Sequence, residues 1–116
     1  MGGDRGMSQL PPNDSIRALE DVLGDQATRD VVRLFLHDFP ESMRRIGSAG
    51  REDQMRIVHG LKSSSLHMGA MELSEKLAFL EEQLGASDET LQPGDLTGAI
   101  ADFGGVSAAL RKYAGP

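Results

Sequence analysis

The sequence predicts an all-α protein, an antiparallel four-helix bundle with a short extra N-terminal helix. Three observations carry this. Apolar residues return every three or four positions through most of the chain, giving each helix one stripe to bury. No segment alternates apolar and polar residues with the two-residue period of a strand. The 116 residues are 39% hydrophobic but include only four Phe, one Tyr and no Trp, so the core must be built from Leu, Val, Ile, Met and Ala, which favours helix over sheet. The length suits one domain.

The opening MGGDRGMSQLPPN is rich in Gly and Pro and reads as a flexible arm or linker over residues 1–13, with one domain over 14–116. Asn13 or Asp14 suits the N-cap of a first short helix, which Gly24 stops. A longer helix is expected from Asp25 to Ile46, with Val31, Val32, Phe35, Leu36, Phe39, Met43 and Ile46 as its buried stripe. Pro40 falls inside it, removing a backbone donor, yet the stripe continues past, so the expectation is one bent helix. GSAG at 47–50 breaks the chain. The next two helices are expected at about Arg51–Met68 and Ala70–Leu84, the latter with Leu73, Leu77, Leu80 and Leu84 inward. GASDETLQPGD reads as a loop. A last helix runs from about Asp95 to Tyr113 with Leu96, Ile100, Phe103, Val106 and Leu110 as its stripe, Gly104 and Gly105 each weakening it by up to about 1 kcal/mol relative to Ala. Four such stripes cannot be hidden singly and can be hidden together in a bundle.

Charge excludes several functions. The net charge of −6 is the wrong sign for a protein that neutralises phosphates on nucleic acid or docks on an anionic membrane surface. No apolar run approaches the roughly 20 residues that span a bilayer, and the opening residues lack the pattern of a secretory leader. There is no cysteine, which excludes disulfides and thiolate metal sites and fits a reducing compartment, so a cytoplasmic location is expected.

The stretch HGLKSSSLHMGA from His59 to Ala70 raises the functional question. At about 100° per residue, Ile57, Val58, Leu61, Ser64, Ser65 and Met68 gather on the core side and His59 falls nearly opposite. The imidazole is therefore expected in water, its nitrogens free of internal partners. Glu52, Met55, Arg56, Lys62, Ser63 and Leu66 share its outer face. Met55 and Leu66 would stand exposed on either side of the ring, as apolar points on a docking rim. Lys62 and Arg56, one turn away on each side, suit an anion held at the ring, such as a phosphoryl group with nearly two negative charges and three acceptor oxygens. Ser63 is small enough to leave the ring accessible. No serine or carboxylate is placed by spacing to orient His59, which counts against a hydrolase. His67 lies too far round the helix to share a metal with His59, and His37 sits on a polar face, so both read as solvated residues. A metal site built on His59, His67 and a distant carboxylate is a minor alternative that a zinc titration would decide.

HGLKSSSLHMGAMEL resembles the signature of histidine-containing phosphotransfer (HPt) domains, commonly H-x-L-K-G-S followed by a small residue and a GA pair. His59, Leu61, Lys62, Ser64, Ser65, Gly69, Ala70 and Leu73 match it, and a FLxxFPESM-like helix before a Gly-rich break keeps the same order, so the likeness covers residues 14–113. Ser63 replaces the glycine usual after the lysine. The resemblance implies a relay intermediate of two-component signalling, in which His59 accepts a phosphoryl group from a receiver-domain aspartate and passes it to another. Lys62 then supports the phosphoryl group electrostatically, and Met55, Arg56, Ser63 and Leu66 form the docking surface. It further implies response-regulator receivers and a sensor histidine kinase, in the same chain or another, as partners. No cofactor or metal is expected on this chain, Mg²⁺ being expected on the receiver, and no ATP site of its own: the sequence has no phosphate-binding loop of the GxxxxGK[ST] kind. The alternative is a non-catalytic helical docking module that regulates a receiver or sensor kinase without carrying phosphate.

Overall fold

The computed structural model describes residues 10–115, and among them every regular element is helical. Helix α1 spans Asp14–Leu23, α2 Asp25–Ile46, α3 Arg51–His67 and α4 Met71–Ala86; a 3₁₀ turn, Pro93–Leu96, leads into α5, Thr97–Ala114. Helices α2 to α5 form the antiparallel bundle, each packing on the next and α5 closing back on α2, while α1 lies against α2. The fold class is the one expected, a helical bundle with a short extra N-terminal helix. Of the proposed arm, residues 1–9 lie outside the described residues, and Asn13 belongs to the domain as the α1 N-cap, its Oδ1 accepting from the Ile16 backbone N–H at 2.8 Å.

The core is aliphatic with one aromatic seam. Val32, Phe39 and Ile46 of α2, Val58 of α3, Leu73, Leu77 and Leu84 of α4, and Leu110 and Tyr113 of α5 are all essentially inaccessible. Phe39 stacks on Phe103 with centroids 4.3 Å apart and planes 4° from parallel, joining α2 to α5. Helix α2 runs unbroken through Pro40. Three details depart from the sequence reading. Val31 is on the outer flank of α2, and Ile100 is half exposed beside the 3₁₀ turn, because the strip that neighbouring helices cover is narrower than the periodic apolar stripe. Ser64 is exposed, and only Ser65 of the serine run is buried. Leu91 lies in the stretch that reads as a loop, and it is buried. The buried amide of Gln54 holds it there, accepting from Leu91 N–H at 2.7 Å and donating to the carbonyls of Ile46 and Leu91.

The α3–α4 turn fixes how these two helices face each other. Gly69 adopts φ +76°, the left-handed conformation glycine reaches without steric cost, and the Ala70 N–H bonds back to the Ser65 carbonyl at 2.9 Å, closing α3 in the manner of a Schellman cap. The Asn13 side chain seals the same turn by donating to the Met68 carbonyl at 2.9 Å. Ser74 Oγ donates to the Lys62 carbonyl at 3.2 Å, and at the far end Arg51 Nε donates to the Ser87 carbonyl at 2.9 Å. The α3–α4 pair is thus tied at the turn, beside Lys62 and at its open end.

Candidate functional site

The middle of the α3–α4 face carries the imidazole of His59, whose side chain is 65% exposed. Val58 and Leu61 on either side of it in sequence are buried, so the helix that anchors the ring in the core also turns it outward. The exposure expected from the helical wheel is therefore found. The expectation that both ring nitrogens lack an internal partner is corrected: Nδ1 lies 2.6 Å from Oε2 of Glu81, on α4. The other oxygen of the same carboxylate accepts from Lys62 Nζ, also at 2.6 Å. One acidic side chain thus bridges the histidine and the lysine that α3 places one turn apart.

Glu81 was not found by reasoning from α3 alone, because it arrives from another helix. A signal was nonetheless present: in an antiparallel hairpin turning at Ala70, Glu81 stands as many residues after the turn as His59 stands before it, and so at the same level. It sits on the flank of α4 between the buried Leu77 and Leu84. The Lys62 ammonium first, and then the hydrogen bond from His59, holds its carboxyl below the ordinary glutamate value of 4.5, outweighing the opposing effect of burial. Glu81 is therefore an anion at neutral pH.

This has a chemical consequence at the ring. A carboxylate only accepts, so in the neutral imidazole Nδ1 must carry the proton and Nε2 the lone pair. Among the described residues no hydrogen bond is made to Nε2. The arrangement engages one nitrogen and leaves the other with its lone pair unshared among the described residues. Should Nε2 acquire a substituent, the ring would become cationic with Nδ1–H still in place, and the adjacent carboxylate would stabilise that charge.

The other predicted residues divide. Lys62 is half-buried and beside the ring, its ammonium turned to Glu81. Arg56 is on the outer face but pairs with Asp53 at 2.8 Å and is not drawn to His59. Ser63 is exposed and Leu66 is 47% exposed. Met55 does not stand clear as expected: it is half-buried and packs on the edge of the core. His37 and His67 are both exposed, His37 facing Asp38. Among the described residues no three His, Asp or Glu side chains are gathered so as to hold a metal ion, and no helix is long and apolar enough to cross a membrane.

Comparison with known proteins bears on the same stretch. Neither curated proteins nor solved structures give a significant match. The family model described as Hpt domain matches residues 30–112, which takes in α3, α4 and the whole His59–Glu81–Lys62 constellation. With most of its length covered by that match, an all-helical bundle and an outward histidine on α3, the chain belongs to the Hpt domain family, whose members carry phosphoryl groups in two-component relays.

Proposed function

We propose that His59 is the phosphoacceptor of a relay step, taking a phosphoryl group from the aspartyl phosphate of one receiver domain and giving it to the aspartate of another. The observation that carries this is the single carboxylate that engages Nδ1 and leaves Nε2 free. In the forward step the Nε2 lone pair attacks phosphorus, the N–P bond forms, and the bond from phosphorus to the aspartyl oxygen breaks, returning the electron pair to the receiver's carboxylate. No proton has to move. The ring becomes a phosphoimidazolium, with Nδ1–H donating to Glu81. Transfer to the second receiver is the reverse.

The distribution of labour follows from the chemistry of phosphoryl transfer, which needs positioning and charge neutralisation more than covalent assistance. Glu81 fixes the tautomer and the ring's direction. Lys62, held at the other oxygen of Glu81, is a mobile ammonium that can swing to the phosphoryl oxygens when they arrive. Mg²⁺ and the acidic pocket come from the receiver, and this chain supplies neither metal nor nucleotide. Ser63 and Leu66 are the accessible contacts beside the ring, Arg56 is available by exchanging Asp53 for the incoming anion, and Met55 supports the rim from below.

The test is to incubate the protein with a receiver carrying radiolabelled phosphate. Label moves to the wild type and not to His59→Gln, whose circular dichroism is unchanged. Label reaching His59→Gln at the wild-type rate would place the acceptor elsewhere, and its absence from both would favour a docking module.

A further inference from the structure

Between α4 and α5, on the side of α4 turned away from His59, lies a groove of about 460 Å³. Its apolar floor is Leu80 and Ala99, and Phe79 stands over it. Phe79 is 66% exposed, in a chain with only four phenylalanines, the other three of which pack together in the core. The acidic side chains of Glu72, Glu75 and Asp95 line the walls. Lys76 is the only cation in the lining, and Asp102 takes it at 2.9 Å. Glu72 and Glu75 therefore face the groove without a cation at ion-pair distance among the described residues, while the Asp95 carboxylate caps the 3₁₀ turn by accepting from the Gln92 N–H at 2.8 Å. Two residues along a helix turn a side chain by about 160° once the full circle is taken, so Phe79 and Glu81 look to opposite sides of α4, and an occupant of one side leaves the other open.

We propose that this groove docks an arginine-bearing amphipathic segment of a partner protein. The choice of arginine follows from the combination of groups. A guanidinium can lie flat on the exposed phenyl face while its edge donates to carboxylates, whereas an ammonium is a point charge that does only part of this. Apolar side chains on the same face of the segment would meet Leu80 and Ala99. Such docking tethers a partner while α3 and His59 remain available for phosphoryl transfer, raising the effective concentration at the ring.

The experiment is fluorescence anisotropy of the full chain with a fluorescein-labelled amphipathic peptide carrying Arg and Leu on one helical face, at about 0.15 M salt where surface attraction is screened beyond about 8 Å. Saturable binding is expected, weakened about tenfold by Phe79→Ala and severalfold by Glu72→Gln with Glu75→Gln, and weaker for the same peptide with Lys in place of Arg. Backbone amide shifts should cluster on α4 and α5. Equal binding by Phe79→Ala, equal binding of the Lys peptide, shifts centred on α3, or no saturable binding would each overturn the proposal. So would concentration-dependent self-association abolished by Phe79→Ala, which would make the occupant a second copy. Transfer of label to His59 from an isolated receiver that lacks such a segment does not depend on the groove and is the same in Phe79→Ala, so failure here is distinguishable from failure of the relay reading.

Discussion

Replacing Glu81 by leucine removes the partner of Nδ1 while keeping the side chain's bulk over the core. The bond lost is short, 2.6 Å, with an anionic acceptor, a kind that contributes about 1.5–3 kcal/mol when shielded. Here the ring side chain is 65% exposed and that of Glu81 24%, so water competes and the lower end applies. About 1.4 kcal/mol corresponds to a tenfold slower single-turnover transfer from a labelled receiver. Glu81→Gln retains an oxygen that accepts from Nδ1–H but loses the charge that stabilises the phosphoimidazolium, so it falls between wild type and leucine. Nitrogen chemical shifts of the imidazole give an independent reading: Nδ1–H dominates in the wild type and loses ground to Nε2–H in the leucine variant. Transfer by Glu81→Leu at the wild-type rate, or an unchanged tautomer, would refute the orienting role.

Three further outcomes follow from the same geometry. Because Glu81 titrates lower in the folded chain than its ordinary value of 4.5, the stability its ionisation contributes is present above that value and is lost as pH falls through the depressed one; urea titrations should show the gap between wild type and Glu81→Gln closing as pH falls below 4.5. Gly69→Ala puts a methyl group 2.5 Å from the Asn13 side chain at a backbone φ of +76°, so the turn should lose at least about 1–2 kcal/mol from backbone strain alone, with the larger loss seen when Asn13 is retained than when it is Ala. Gln54→Leu strands the buried N–H of Leu91 and should lower the unfolding free energy by roughly 1–3 kcal/mol, with amide exchange around Leu91 speeding up first.

How much of this could be read from the sequence depends on how local each cause is. Leu73, Leu77, Leu80 and Leu84 announce α4 because a helix hides one face, and all four are buried. His59 is outward for the same reason, its neighbours Val58 and Leu61 fixing the rotation. Val31 and Ile100 fall on the periodic stripes yet stay exposed, because periodicity gives the direction of a stripe but not its width, which the neighbouring helices set. Leu91 was missed since a loop has no period, and its burial depends on the Gln54 amide reaching across from α3. Glu81 was missed for a related reason: spacing along one helix says nothing about a group delivered by the next until the turn between them is located. Gly69 and Ala70, both noted in the sequence, locate that turn, and counting outward from it pairs Glu81 with His59.

Phosphorus–nitrogen NMR of the protein phosphorylated by a receiver locates the phosphoryl group on the imidazole directly. One phosphohistidine is expected, at position 59, with phosphorus coupled to Nε2 and a proton retained on Nδ1. Coupling to Nδ1, or phosphate found on His37 or His67 instead, would contradict it.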